Sequence, residues 1–402
     1  MKKIFKIICF SAIVFCLLAI SSVAAGSCLM PDSFRTLEGS SPDTGIIFKI
    51  AADSQPVGST EEKCECELRL LGVLPVKNVS VTVEKRPKVV VCGSVFALRM
   101  SMQGICVVDI DSVITAEGEK RPALDAGFMK GDVITAVNGA LPDGAEEIGS
   151  IISGSGGNAV TFTVTRADTS LLLTLTPAQE ESTGIYKAGL WLRDSAAGIG
   201  TMTFYDQSSG VFAGLGHCVS DADTGMPVLL SKGEAFSATI TGIRKGGNGK
   251  AGELTGAFVS ADLIGDIRLN SDRGVYGFLS DTPADVGEYE LAEPAEIETG
   301  PAQIVASIDN EGPKFYAVDI KKILNGEDNR NLVVRVTDTR LLAASGGIVQ
   351  GMSGSPIIQN GRLIGAVTHV LLDDSATGYA IFAKTMYNAA LTVAQQQTKN
   401  AA

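Results

Sequence analysis

The chain has 402 residues, of which 45% are hydrophobic and 19% are charged, and its formal net charge is −12. This composition supplies apolar side chains for two or three globular domains. Because no dense run of Lys or Arg is present, the basic face that nucleic-acid binding requires is excluded. Glycine is frequent and aromatic residues make up only 6%, which favours short strands and turns over long helices.

The N-terminal segment has the pattern of an export signal. Three lysines among the first six residues precede the apolar run Ile7–Ile20, and small residues follow it. The run is shorter than the roughly 20 residues that span a bilayer, although Val23–Ala25 extend its apolar character. We therefore predict that residues 1–27 are a signal peptide or a membrane anchor. Lipidation of Cys28 is a less favoured alternative, because no bulky aliphatic residue lies in the three positions before it.

Residues 28–67 are polar and contain Ser-Ser-Pro and Glu-Glu-Lys clusters, which are typical of a tether. The alternation in Val79–Val83 predicts a half-buried strand soon after this segment. Eight cysteines and only two histidines are present, without a CxxC pair, so we predict neither a metal site nor a cofactor. The Cys64/Cys66 pair could be redox-active, whereas the isolated cysteines are typical of small buried hydrophobic residues.

Residues 68–180 contain a motif that resembles a PDZ domain of the kind attached to bacterial exported proteases. The motif is the run Ala126–Gly139, in which two glycines permit tight turns and Asn138-Gly139 indicates a hairpin. A helix is predicted at 145–152 and a closing strand at 161–165. The resemblance implies that an extended peptide binds as an added strand, with its carboxylate on a loop formed by Gly93, Ser94, Val95, Phe96, Ala97 and Leu98. The alternative is a PDZ fold that serves only as a packing scaffold.

Residues 185–390 change to short apolar strands that are interrupted by glycine, with turn signals every 8–12 residues or so. This pattern predicts an all-β barrel or sandwich. Residues 391–402 read as the frayed end of a short helix. The predicted fold is therefore mainly β, an α+β partial barrel of the PDZ type followed by a β-barrel domain.

The run Gly351–Pro356 is the most informative local signal. A serine becomes a nucleophile when a base takes its proton and when N–H donors stabilise the oxyanion. Ser353 has the G-x-S-G frame, and its own N–H with that of Gly351 could form the oxyanion hole. A strand, a turn at Asn360-Gly361 and a second strand follow, as in trypsin-like proteases. Ser355 is the rival serine, but it lacks this frame.

Two histidines can supply the base. His217 lies after a strand-like run and is preceded by glycine, whereas His369 lies within an alternating strand and suits a structural role near the site. A third group normally orients the imidazole, and Asp338 at the end of an apolar strand is one candidate. A salt bridge with Arg340 or a turn cap would explain the presence of an aspartate at position 338 equally well. Six further carboxylates compete for the orienting role, namely Asp221, Asp223, Asp262, Asp266, Asp373 and Asp374.

The region from about 68 to 390 resembles the SpoIVB (stage IV sporulation protein B) serine peptidase family of endospore-forming Firmicutes. The matching runs are Gly189–Thr201, Leu215–His217 with Asp221–Gly225, Gly252–Leu254, Gln350–Pro356 through Val370, and Gly378-Tyr379. The resemblance implies a catalytic triad of His217, Asp338 and Ser353. Only 15 residues separate Asp338 from Ser353, which predicts a divergent form of the trypsin-like barrel.

The same resemblance implies a role in sporulation signalling. It implies a protease exported across the cytoplasmic membrane into the space between the two membranes around the forespore. There it would cut a regulatory membrane protein, which releases an intramembrane protease that activates a late sigma factor, and it would also cleave itself under control of the PDZ domain. The alternative function is a non-catalytic PDZ adaptor of the cell envelope that binds peptide C-termini. Intact His217 and Ser353 favour the peptidase.

Overall fold

The computed structural model describes residues 2–38, 44, 47–50, 62–246, 249–324, 326 and 328–401. It divides into two compact units, Met1–Pro87 and Lys88–Ala402. Among the described residues, no helix combines the length and the apolar character that crossing a membrane requires. The signal peptide or membrane anchor at 1–27 therefore stays a prediction.

The first unit consists of a helix and a small sheet, whose strands lie in the order β1-β4-β3-β2. The elements are α1 Lys2–Leu29, β1 Ser33–Leu37, β2 Phe48–Ile50, β3 Glu62–Leu70 and β4 Leu74–Glu84. Alternate side chains of β3 and β4, among them Leu68, Val79 and Val81, form its core. The predicted tether over 28–67 is thus corrected, because β1, β2 and part of β3 lie within it. Positions 39–43, 45–46 and 51–61 lie outside the described residues.

The second unit is built mainly from strands, which confirms the predicted mainly β fold. Its elements in chain order are β5 Lys88–Val91, β6 Val95–Ile110, β7 Val113–Thr115, β8 Gly118–Lys120, α2 Pro122–Asp125, β9 Val133–Val137, α3 Ala145–Gly154, β10 Val160–Arg166, β11 Thr169–Leu175, β12 Ala178–Gln179, β13 Tyr186–Lys187, β14 Leu190–Tyr205, β15 Val211–Gly214, β16 Leu230–Arg244, β17 Glu253–Ser271, β18 Gly274–Leu279, β19 Glu288–Leu291, a 3₁₀ turn at Pro294–Glu296, β20 Gly300–Ala306, β21 Lys314–Ile323, β22 Leu332–Val336, α4 Thr339–Ser345, β23 Pro356–Gln359, β24 Arg362–Leu371, β25 Asp374–Phe382 and α5 Ala383–Ala401.

Most of these strands join one closed sheet, in which β14 and β6 have a central position. The first half of β6 lies between β14 and β16 and pairs antiparallel with both. Its side chains Phe96, Leu98 and Met100 are buried in one hydrophobic core of the barrel. Strand β5 pairs with β14 and β19. The predicted peptidase segment 185–390 is therefore incomplete as a barrel, because residues 88–102 supply two of its strands.

The second half of β6 enters another core, formed with β9, β10, β11, α2 and α3 around Phe128, Ile134 and Phe162. This is the region predicted to be a PDZ domain, and the predicted helix and closing strand within it are confirmed. Helix α3 and strand β10 cover the predicted helix and closing strand. The positive φ angles of Asn138 and Gly139, 50° and 82°, fit the predicted hairpin turn. The assignment as a PDZ domain itself stays a prediction.

The C-terminal helix α5 differs from the predicted frayed tail at 391–402. It runs from Ala383 to Ala401, and its side chains Met386, Ala390 and Val393 are buried against β15, β18 and β24. Burial of Val393 explains why the helix continues into the predicted tail, since tertiary packing supplies most of the stability of a helix.

Candidate active site

The loop Gly351–Ser355 connects α4 to β23, and β23 forms a hairpin with β24. The turn of this hairpin is Asn360-Gly361, whose φ angles are 50° and 74°. The strand–turn–strand unit that was predicted from the sequence is therefore confirmed. It places Ser353 half-buried beside the start of the hairpin.

Strand β14 fixes this loop with hydrogen bonds from two buried threonines. The Thr201 N–H donates to the Ser353 carbonyl at 2.9 Å, and the Thr201 hydroxyl donates to the Gly351 carbonyl at 2.7 Å. The Thr203 hydroxyl donates to the Gly354 carbonyl, also at 2.7 Å. Three hydrogen bonds to carbonyls within four residues leave the loop little freedom, which is the preorganisation that a nucleophile requires.

Two glycines of the loop lie where a side chain would not fit. Gly354 has a φ of +95°, and a Cβ there would lie 2.0 Å from the Thr201 carbonyl oxygen. Gly351 has a φ of +94°, and its Cβ would lie 3.0 Å from the Cβ of Leu254. Both the backbone conformation and the close approach to β14 therefore require glycine at position 354.

The loop presents two N–H groups that suit an oxyanion hole. The Gln350 carbonyl accepts from Leu254 N–H and the Met352 carbonyl accepts from Ser355 N–H, so both oxygens point away from the site. In a trans peptide the N–H points opposite to the carbonyl. The N–H groups of Gly351 and Ser353 therefore point the other way, and within the described part of the chain neither donates a hydrogen bond.

The two candidate serines differ sharply in accessibility. The Ser353 hydroxyl faces a cavity and donates to the Thr368 carbonyl at 2.9 Å. Ser355 has 0% of its surface exposed, and its hydroxyl has no partner among the described residues. A substrate cannot reach Ser355, so Ser353 is the only one of the two that can act as a nucleophile.

The loop after β15 carries His217. Leu215 and Gly216 both have left-handed backbone conformations, with φ angles of 63° and 70°. Such a φ is uncommon for leucine and stores strain of a kind found at functional sites. A Cβ on Gly216 would lie 2.9 Å from the Thr368 side chain, so the loop approaches β24 closely.

The hydrogen bond of His217 identifies its tautomer. Its Nδ1 lies 2.8 Å from the Cys218 carbonyl oxygen, which can only accept, so Nδ1 carries the proton. The lone pair of Nε2 is then available to take a proton from a serine. Burial lowers the pKa of His217 below its ordinary value of 6.5 and keeps the ring neutral, while the bond to Cys218 partly opposes the shift.

His369 on β24 lies against His217, with 5.2 Å between the ring centroids and 39° between the ring planes. Its Nδ1 is buried and has no hydrogen-bond partner among the described residues. Burial, followed by electrostatic coupling to His217 and the positive charge of Arg330, lowers the pKa of His369 to about 4. The sequence prediction placed His369 near the site in a structural role, and its proximity to the site is confirmed.

The structure does not bring Asp338 to this pair. Asp338 is the N-cap of α4, where its carboxylate accepts from the backbone N–H of Arg340 and Ala317 and from the Arg340 guanidinium. The guanidinium holds the pKa of the carboxyl well below its usual range. Within the described residues no hydrogen bond joins Asp338 to His217. The sequence offered a salt bridge or a cap as the alternative explanation, and both are present in the contacts of Asp338 with Arg340.

A cavity of about 400 Å³ joins Ser353, His217 and His369. Its other walls are the segment before the nucleophile, Ile348–Gly351, and the end of β24 around Val370. Ser353 and His217 therefore share one space that a peptide could enter, while the predicted third member lies outside its lining.

The predicted peptide-carboxylate loop Gly93–Leu98 is not open to a ligand. Residues Val95–Leu98 belong to the barrel half of β6 and pair with β14, and Phe96–Leu98 also pair with β16. The Gly93 N–H donates to the Met202 carbonyl. Because these backbone groups are used in strand ladders and Phe96, Ala97 and Leu98 are buried, this assignment is corrected.

The family model described as SpoIVB peptidase S55 matches residues 184–387, which is half of the chain. The chain belongs to the SpoIVB peptidase family. The matched region contains His217, Ser353 and both threonines of β14. It begins after β6, so the family match leaves out two strands that complete the barrel.

Some solved structures resemble this member of the SpoIVB peptidase family. The HtrA-type protease AlgW with decapeptide is 14% identical with a TM-score of 0.29, over 52% of this chain and 55% of that chain. The Rv3671c protease in its inactive form is 17% identical with a TM-score of 0.25, over 47% of this chain and 81% of that chain. Human heparin binding protein is 16% identical with a TM-score of 0.22, over 45% of this chain and 75% of that chain. The match spans about half the length of the AlgW chain. No curated protein matches the sequence significantly.

Sequence reasoning missed the two threonines that hold the SpoIVB-type nucleophile loop. Thr201 and Thr203 are two positions apart on β14, so their side chains lie on the same face of the strand. The alternation of threonine in Thr201-Met202-Thr203 is the one available signal, but it is equally typical of any half-buried strand.

Proposed function

We propose that this chain is a serine endopeptidase that forms an acyl-enzyme on Ser353. The observation that carries the proposal is the set of groups around one hydroxyl. The Ser353 Oγ lies beside two N–H groups, its own and that of Gly351, which have no acceptor among the described residues, and it shares a cavity with the neutral imidazole of His217. Nucleophile, base and oxyanion donors are the three parts that acyl transfer requires.

In the first step the Ser353 hydroxyl rotates from the Thr368 carbonyl toward His217 and attacks the carbonyl carbon of the substrate. The proton passes to Nε2 of His217, and the N–H groups of Gly351 and Ser353 bind the oxyanion. His217 then gives the proton to the leaving amine, and the C–N bond breaks. Water repeats the sequence on the acyl-enzyme, with His217 again as the base. The Cys218 carbonyl holds the imidazole in the required tautomer throughout, which is the orienting role of the carboxylate in a triad.

Membership of the SpoIVB peptidase family supports a finer proposal about the biological role. The chain would act in sporulation after export, in the space between the membranes of the forespore. Its substrates would be itself and a regulatory membrane protein whose cleavage allows intramembrane proteolysis and activation of a late sigma factor. The basic, then apolar, N-terminal segment supports export, and the PDZ-like motif at Ala126–Gly139 supports control by a peptide.

Labelling by a fluorophosphonate tests the catalytic proposal directly, because this reagent phosphonylates an activated serine. We expect the folded full-length chain to be labelled at Ser353 and Ser353→Ala to lose all labelling. Ser355→Ala is the matched control, and it should keep labelling because Ser355 is fully buried. Absence of labelling in the folded wild-type chain, together with saturable binding of C-terminal peptides, would support the adaptor function instead.

A further inference from the structure

The walls of the active-site cavity are aliphatic. Apart from the groups that take part in the chemistry, it is lined by Ile199, Leu215, Ala251, Ile348, Val349 and Val370, with the exposed Leu372 at its edge. Among the described residues, no Asp, Glu, Lys or Arg side chain lines this cavity. Among the described lining residues, Gln350 has the only polar side chain outside the cluster of Ser353, Thr368 and the histidines.

The geometry of the nucleophile loop places these walls next to the acyl group of a bound substrate. The acyl oxygen must lie at the N–H groups of Gly351 and Ser353, and the cavity adjoins both residues. Ile348 and Val349, which lie three and two residues before the oxyanion donor Gly351, are buried in the wall. Ile199 is two positions before Thr201 on β14, so its side chain lies on the strand face that supports the loop. A side chain next to the scissile carbonyl therefore meets aliphatic groups.

We infer that this peptidase cleaves after residues with apolar side chains, an inference that rests on the proposed serine peptidase function. A charged side chain in the cavity would lose water without gaining a partner of opposite charge, which disfavours it strongly. An apolar side chain gains from leaving water. Pocket contacts of this kind separate substrates by roughly 10- to 200-fold per group. The inferred substrates are thus protein segments with Val, Leu or a similar residue on the acyl side of the cleaved bond.

A series of peptidyl phosphonate esters that differ only in the residue bonded to phosphorus tests the inference. The reagents would carry the analogues of Val, Leu, Lys or Asp, and the second-order rate of Ser353 modification would be measured on the full chain. We expect the Val and Leu reagents to react at least tenfold faster than the Lys and Asp reagents. Equal or faster reaction of the Lys or Asp reagent would overturn the inference.

A charge introduced into the wall supplies an independent check. Ile199→Asp should raise the relative rate of the Lys reagent over the Leu reagent by about tenfold or more, because the new carboxylate can pair with the ammonium. Ala197→Asp is the matched control, since Ala197 is exposed on the same strand and lies outside the cavity lining. An unchanged Lys to Leu ratio in a folded Ile199→Asp variant would contradict the assignment of this wall.

Fluorophosphonate labelling tests the peptidase function, and the phosphonate series tests the inferred specificity separately. If the fluorophosphonate labels Ser353 but the phosphonate series shows no apolar preference, the peptidase function stands and the inferred specificity is overturned. If the fluorophosphonate does not label the folded chain, the peptidase function and the inference with it are overturned.

Discussion

The imidazole rings of His217 and His369 lie 5.2 Å apart beside Ser353, and within the described residues neither ring is hydrogen-bonded to a carboxylate. Both rings are kept neutral by burial, so the site holds two imidazoles without a permanent charge. A proton taken from Ser353 therefore creates the first charge in the cavity, close to a second ring that resists protonation. This relationship makes the activity and the stability of the chain sensitive to acid in separate ways.

The rate of Ser353 labelling should depend on the protonation of His217. Only the neutral ring accepts a proton, and burial lowers its pKa below 6.5. We expect the fluorophosphonate rate of the wild-type chain, measured at constant ionic strength, to fall with acid and to reach half of its plateau below pH 6.5. A half-maximal rate above pH 6.5 would contradict the depressed pKa.

Acid should also lower the free energy of unfolding through His369. Its pKa is about 4 in the folded chain and about 6.5 when unfolded, so the unfolded state binds more protons in this interval. The free energy of unfolding is unaffected by His369 above about pH 6.5, where the ring is neutral in both states. It falls progressively as the pH drops toward 4, because only the unfolded chain binds the proton readily. His369→Asn should show a smaller drop in the urea midpoint between pH 7.5 and pH 5 than the wild-type chain. An equal drop in both proteins would exclude His369 as the cause.

Gly354→Ala should unfold or displace the nucleophile loop. The new Cβ would lie 2.0 Å from the Thr201 carbonyl oxygen, and the residue would keep a φ near +95°. We expect a loss of about 3 kcal/mol or more in urea unfolding, together with loss of labelling. Gly361→Ala is the matched control, because its φ is +74° but no atom lies within 4 Å of its Cβ. It should cost only about 1–2 kcal/mol and keep labelling.

Substitution of Asp338 separates a structural from a catalytic role. Asp338→Ala removes the cap of α4 and should cost about 1–2 kcal/mol, whereas Asp338→Asn keeps an acceptor and should cost less. Because its hydrogen bonds go to Ala317 and Arg340, we expect Asp338→Asn to retain labelling within about tenfold. An amide in place of an orienting triad carboxylate costs about 10⁴-fold. A loss of that size in a folded variant would show that Asp338 orients His217.

The features that the sequence predicted well are those with local causes. The G-x-S-G frame and the Asn360-Gly361 turn are encoded within a few residues, and so is the tight turn at Asn138-Gly139. The choice of Ser353 over Ser355 followed from the same frame. Burial of Ser355 between β23 and its neighbours now gives the physical reason for that choice.

The features that could not be predicted depend on pairings across the chain. The segment Gly93–Leu98 has the composition of a loop beside a strand, but β14 and β16 join it from about 100 and 140 residues away. Asp338 follows an apolar strand, a position that suits an orienting carboxylate, a cap or a salt bridge alike. Only the contacts of Arg340 and Ala317 distinguish among them.

The pairing of strand β6 determines how late in folding the active site can assemble. Its first half completes the barrel near the beginning of the chain, whereas β25, which pairs with β22 and β24, ends at Phe382. Such distant pairings form late and slowly, since long loops must close before the contacts stabilise them. A nascent chain would hold Ser353 and His217 in separate, unassembled segments until nearly all residues have been synthesised. The active site therefore assembles only after strands from both ends of the second unit have paired.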